Sequence, residues 1–249
     1  MARQMRSEKL WTKLRQILLA ESIDDKPRLR QTVEGMRYRM RVGCPWRDLP
    51  PAFGPWTTIY QRFRAWVASG KWRRIFRACI VDPDLEWAFM DGSYTKAHQH
   101  SAGASGGQPQ AIGPSRAGRT TRIQLAVDAY GLPITFEITG GQINDCSIGP
   151  SRVDAIPRVD IMIADKGYDS HRVRAAIQTR SSRPVIPRRR HSKRANPDFD
   201  RGLYRYRHLV ENAFARLKQY RAIACRFDKL KAHYDAVVAM ACALLWLPM

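Results

Sequence analysis

The sequence predicts an α/β protein: a mixed sheet flanked by helices, preceded by a small all-α, helix-turn-helix-like region. Three observations carry this expectation. Apolar residues in the first 80 positions recur at helical spacing between tight turns. Near Val81 the pattern changes to alternating or continuous apolar runs, interleaved with helical stretches. The chain has 249 residues, 44% of them hydrophobic, enough to bury one large core or a small and a medium one.

Taken in order, Ser7 is placed to cap a first helix over 7–20, with Leu10, Trp11, Leu14, Ile17 and Leu18 at helical spacing. A second helix follows Asp24–Asp25, with Pro27 in its first turn, Leu29, Val33, Met36 and Met40 along one face, and Gly43 at its end. A Pro- and Trp-rich connector leads to a third helix from Thr57, which presents Ile59, Tyr60, Phe63, Trp66 and Val67 to a core and Gln61, Arg62 and Arg64 outward. A short fourth helix runs through Trp72 and Phe76. Short helices with tight turns and a basic third helix suit a DNA-binding helix-turn-helix over residues 1–80. A plain helical subdomain with a basic surface is the alternative.

From residue 81 to 249 the expected order is βββαβαβα. The first strand, Trp87–Asp91, is followed by a Gly-, Ser- and Gln-rich stretch that reads as a mobile loop and carries His98 and His100, an H-x-H pair with no third ligand nearby. Thr121–Asp128 and Pro133–Thr139 form a hairpin about Ala129–Gly131, and residues 147–156 form a short helix. The buried apolar run Val159–Ala164 ends at Asp165, and a helix follows over Ser170–Thr179. The prolines of Pro184–Pro187 place that strand on a sheet edge. A basic connector from Arg188 to Arg194, opening with Arg188, Arg189 and Arg190, is a phosphate-contacting candidate. An apolar helix over about 234–247 comes last.

Tyr204–Tyr220 reads as one helix. At about 100° per residue, Tyr204, Arg207, Glu211 and Lys218 share a stripe about 60° wide. Leu209, Ala213, Leu217 and Tyr220 lie opposite. An i,i+4 pair between Arg207 and Glu211 is the bland reading of that stripe. Asp91 and Asp165, each ending a strand-like run, suggest more. Three carboxylates gathered at strand ends and a helix face would repel one another, and a divalent metal removes that cost. Oxygen ligands suit Mg²⁺ or Mn²⁺, and two such ions about 4 Å apart serve in-line attack on a phosphodiester.

The charge balance points the same way. Lys and Arg number 43 against 22 acids, a net charge of +21, so a polyanion is the expected partner and nucleic acid the first candidate. A membrane partner is not expected, because no apolar run reaches about 18 residues, and no signal peptide is read at the start. Five scattered cysteines without a CxxC pair argue for reduced thiols, against a disulfide frame and against a zinc finger.

Tyr204, Arg207, Glu211 and Lys218 match the Y-x2-R-x3-E-x6-K signature without a mismatch, and the chain resembles the DDE transposases of bacterial insertion sequences, in particular the fifth insertion-sequence family. GCPWRDLPPAFGPWTTIYQRFRAW, FMDGSYTKAHQHSAG, RTTRIQLAVDAYGLP, ADKGYDS, PVIPRRR and LYRYRHLVENAFARLKQYRAIACRFDKL extend the resemblance over nearly the whole chain. It implies an RNase H-like fold for 81–249, with Asp91, Asp165 and Glu211 as a catalytic triad holding two Mg²⁺ or Mn²⁺ ions. It implies metal-dependent cleavage and strand transfer of an element's own double-stranded DNA, at terminal inverted repeats and into target DNA. Tyr204, Arg207 and Lys218 would contact phosphates. A homo-oligomer on DNA and a cytoplasmic, nucleoid-associated bacterial location go with that reading. The rival readings are a catalytically silent DNA-binding protein and a nuclease of the same fold that cuts without joining.

Overall fold

Four helices open the computed structural model, which describes residues 7–101, 109–190, 192–197 and 199–248. The helices are α1 (Glu8–Ala20), α2 (Leu29–Val42), α3 (Trp56–Ala68) and α4 (Lys71–Cys79). Then come β1 (Trp87–Ala97), β2 (Gly113–Ser115), β3 (Gly118–Val127), β4 (Pro133–Gly140), α5 (Asp145–Ala155), β5 (Ile161–Ala164), α6 (His171–Thr179) and β6 (Arg183–Val185). The remainder is α7 (Arg201–Arg205), α8 (His208–Lys218), α9 (Arg221–Ala224), β7 (Cys225–Arg226) and α10 (Lys231–Trp246). Two compact units result. One comprises Met1–Val81, Lys96–Gln110 and Leu217–Met249, and the other Asp82–Thr95 and Ala111–Arg216.

In the helical unit Ser7 Oγ accepts the Leu10 N–H at 3.2 Å, the expected cap of α1. The stripes that periodicity picked out are the buried ones: Trp11, Leu14 and Leu18 on α1, Leu29, Val33, Met36 and Met40 on α2, and Ile59, Phe63 and Trp66 on α3. The Pro- and Trp-rich connector forms two 3-10 turns, Trp46–Asp48 and Pro51–Phe53. Residues 217–248, which the sequence reading groups with the sheet, pack within this unit. α10 lies against α4, α3 and α9 and is buried almost all round. Ion pairs fasten the segment: Arg39 grips Asp228 through two bonds of 3.1 Å, and Arg73 Nε donates to Asp235 at 2.8 Å. The Arg39–Asp228 pair is buried, so removing one partner would cost about 3–5 kcal/mol.

The second unit holds the mixed sheet, in the order β2-β3-β1-β5-β6 with β4 paired to β3. β1, β5 and β6 are parallel, whereas β2, β3 and β4 are antiparallel. The proline-bearing β6 lies at the edge, as expected, since Pro184 has no N–H to give a further neighbour.

Two expectations need correction. The first strand does not end at Asp91 but continues to Ala97. Tyr94, which is exposed, and Thr95, which is buried, both favour extended backbone, and Lys96 and Ala97 pair with β7 within the helical unit. Most of the remaining Gly- and Ser-rich stretch, 102–108, lies outside the described residues. The single helix expected over 204–220 is interrupted. Around Tyr206 and Arg207 the backbone bonds tighten to i→i+3, from Tyr206 N to Leu203 O and from Arg207 N to Tyr204 O, both at 3.1 Å. The Tyr206 ring packs on Trp87 with centroids 5.4 Å apart, and α8 begins afresh at His208. Its buried residues are therefore Val210, Ala213, Phe214 and Leu217, while Leu209 is only half-buried.

Candidate active site

Parallel pairing sets the geometry. β1 and β5 run in register from Trp87↔Ile161 to Met90↔Ala164, so the next residues, Asp91 and Asp165, stand side by side where the two strands part. Asp165 Oδ1 accepts the Gly167 N–H at 2.8 Å and caps a 3-10 turn over Lys166–Tyr168. Asp91 Oδ1 accepts the Gly92 N–H at 2.7 Å, and Oδ2 accepts from Arg207 Nη1 at 2.6 Å. Burial pushes the Asp91 carboxyl above its ordinary pKa and the charge of Asp165 adds to that rise, while the Gly92 N–H and Arg207 oppose it. The two carboxylates thus feel one another.

Glu211 lies in the first turn of α8, where a carboxylate suits the helix dipole, and about half its side chain is exposed. It reaches the aspartates through one intermediary: Arg207 Nη2 donates to Glu211 Oε1 while Nη1 holds Asp91. The guanidinium therefore bridges two of the three acids. Tyr204 lies under it, with its ring centroid 5.9 Å from the Arg207 Cζ, and burial raises the phenol pKa. Lys218 ends α8 half-buried, its ammonium pKa lowered by burial.

Among the described residues no three His, Cys, Asp or Glu side chains come together as a metal-holding group. The donor set nonetheless fits a divalent cation. Asp91 and Asp165 offer adjacent hard oxygens. The position between Asp91 and Glu211 already takes a positive charge, that of Arg207.

The other sequence candidates fall in separate places. Gln61 and Arg64 are exposed on α3, Arg64 stacked over Tyr60 at 5.8 Å, but Arg62 is not free to face outward. Its Nη1 donates to Thr32 on α2 at 3.1 Å. Arg188 Nη1 and the Arg189 N–H both bond Asp169, at 3.1 and 2.9 Å. Burial of Asp169 works against ionisation, yet the Arg189 N–H with Arg174 and Arg188 holds its pKa below the ordinary carboxylate value. Arg189 and Arg190 line a cavity of about 550 Å³ with Lys166, Asp165, Asp145 and Arg122. The rings of His98 and His100 lie against each other at a tilt of 42°, with centroids 4.9 Å apart.

Sequence reasoning missed Asp145, Arg122, Gln124 and Tyr168, a connected buried group beside Asp165. One signal was present. Arg122 and Gln124 are polar residues two apart that alternate with Ile123 and Leu125 in a strand-like run, which puts both on one face.

Two family descriptions match the chain: "Putative transposase of IS4/5 family" over residues 7–76 and "Transposase DDE domain" over 83–246. It is 34% identical over 128 residues to a putative transposase for insertion sequence element IS6501 of Brucella ovis, covering 51% of this chain and 98% of that one. With a putative transposase for element IS402 of Burkholderia cepacia it shares 31% over 153 residues, covering 56% and 69%. Among solved structures, a Mos1 transposase paired-end complex with the left transposon end has TM-score 0.28 and 12% identity, covering 96% of this chain and 80% of that one. The Mos1 mariner paired-end complex with Mn has TM-score 0.29 and 14% identity, covering 98% and 78%. The DDE family implies dependence on a divalent metal. The mixed sheet with its flanking helices is of the RNase H-like kind. The chain belongs to the DDE transposases of insertion sequences, enzymes that cleave DNA and transfer its strands.

Proposed function

We propose that Asp91, Asp165 and Glu211 are the catalytic acids of this transposase and hold two divalent ions, Mg²⁺ or Mn²⁺. The observation that carries the reading is the β1–β5 register, which sets Asp91 beside Asp165, with Arg207 joining Asp91 to Glu211. When bound, such ions activate a water or 3′-hydroxyl and stabilise the leaving oxygen of an in-line displacement. The chain's own residues bind and orient the DNA. Arg207 exchanges its carboxylate partners for a phosphate, which a guanidinium grips in a fork, with Tyr204 supporting it from below. Lys218 meets phosphate as a point charge. Arg189 and Arg190 in the cavity beside Asp165, with Arg188 anchoring their segment, track the backbone of the cleaved strand.

Residues 1–80 form the DNA-binding region and 81–249 the catalytic domain in this reading, with Gln61 and Arg64 facing the terminal repeats and Arg62 steadying α3 against α2. The net charge of +21 supports binding to double-stranded DNA. Engagement of terminal inverted repeats and target DNA, assembly of a homo-oligomer there and residence at the nucleoid belong to the same proposal. The test is direct. Asp91→Ala, Asp165→Ala and Glu211→Ala should each lower metal-dependent cleavage and 3′-end joining by about a hundredfold to a thousandfold. Binding to element ends should stay nearly intact, because the basic surface supplies affinity. Retained cleavage by the Asp165 variant would sink the assignment. Cleavage without joining by the parent chain would favour a nuclease.

A further inference from the structure

Beside the two aspartates lies a buried polar group to which the chemistry above gives no task. Arg122 and Gln124 project from one face of β3, and both are buried. Arg122 Nη2 donates to Asp145 Oδ2 at 2.5 Å, and Nη1 donates to the Tyr94 hydroxyl at 3.0 Å. Gln124 Nε2 donates to Asp145 Oδ1 at 3.0 Å, and its Oε1 accepts from the Tyr168 hydroxyl at 2.7 Å. Both oxygens of Asp145 are thus engaged. Arg122 Nε is buried without a hydrogen-bond partner.

Two glycines show how closely this group approaches the site. A Cβ on Gly92, the residue after Asp91, would lie 2.4 Å from Arg122 Nε and 2.7 Å from Gln124 Oε1. Only glycine lets the guanidinium come that near the strand. A Cβ on Gly167 would lie 2.8 Å from Asp145 Oδ2 and equally far from Asp165 Oδ1, so those two oxygens are separated by at most twice that distance. A buried cation and a buried anion therefore stand immediately behind Asp91 and Asp165.

We propose that Asp145 is a positioning residue of this active site: it neutralises Arg122 and, with Gln124, fixes the backbone that presents Asp91 and Asp165 to a divalent cation. This rests on the reading of Asp91 and Asp165 as metal ligands. Asp145 touches no reacting atom. Its carboxylate cancels a positive charge that would otherwise compete with the incoming ion for the same two carboxylates.

The test is Mn²⁺ binding to the full chain without DNA, followed by the EPR signal of free Mn²⁺. Asp145→Asn should weaken binding about tenfold, because Arg122 is left uncompensated. Asp145→Asn combined with Arg122→Gln should return to within about threefold of the parent. Asp165→Asn is the control on the underlying assignment: if it keeps full Mn²⁺ affinity, the ligand reading fails. If Asp165→Asn loses binding while Asp145→Asn binds like the parent, the positioning role is overturned. It is overturned equally if single and double variants are alike in weakness, as mere packing damage would make them. Should Asp145→Asn not fold, Arg122→Gln replaces it. The uncancelled Asp145 carboxylate should then tighten Mn²⁺ binding relative to the double variant, and equal affinities would overturn the proposal.

Discussion

Arg207 illustrates how one guanidinium can hold two acids at once. Its forked donors hold Asp91 and Glu211 in the DNA-free chain, so a guanidinium occupies the position where, on the proposed assignment, a divalent ion would meet those acids. Neutralising it should have opposite effects on the two ligands. Arg207→Gln is expected to tighten Mn²⁺ binding by the DNA-free chain, because two carboxylates lose their resident cation. The same variant should bind a pre-cleaved element end more weakly, with the salt dependence reduced by about one phosphate contact. Parallel Mn²⁺ and salt-series titrations check both. Equal Mn²⁺ affinity in variant and parent would mean that the bridge does not compete with metal. Lys218→Ala should lower the salt slope similarly while leaving Mn²⁺ affinity unchanged.

At the level of single elements, the basic connector after β6 is ordered by an acid. Asp169 receives the Arg189 N–H and the guanidinium groups of Arg174 and Arg188, and its pKa is lowered. A depressed folded-state pKa means that its contribution is present above the ordinary carboxylate range and is lost as pH falls through the lowered value. Asp169→Asn should therefore cost about 1–3 kcal/mol at pH 7 and converge on the parent in acid, as thermal melts from pH 7 to pH 3 would show. Local signals made much of this scale legible. Helical spacing found α1 to α3, and acids after apolar runs marked Asp91 and Asp165. The break at Tyr206 was hidden because it depends on Trp87, distant in sequence, and on a local tightening of turns without Gly or Pro. Asp145 was hidden for a related reason. Its partners Arg122 and Gln124 lie on β3 and its neighbour Asp165 just past β5, so no spacing rule connects them.

For the molecule as a whole, the placement of α10 matters most. It covers α4, whose Trp72, Ile75, Phe76 and Cys79 are buried, and Asp235 on α10 pairs with Arg73 on α4. Uncovering several large apolar side chains at about 1.5–3 kcal/mol each would exhaust a typical domain stability of about 5–15 kcal/mol. A fragment ending at Ile80 is therefore expected to melt without a cooperative transition, and a chain ending before Lys231 should do the same in its helical unit. Calorimetry on both checks this, and a sharp transition in the shorter fragment would refute it. The order of synthesis adds a consequence. Residues 8–79 leave the ribosome first and 231–246 much later, with the sheet made in between. The proposed DNA-gripping helices close only after Asp91, Asp165 and Glu211 have all been translated. On the proposed division of labour, a message that shifts frame or stops early should yield a helical unit that does not close and a product that grips element ends weakly. Firm binding then comes with the proposed cutting residues already made.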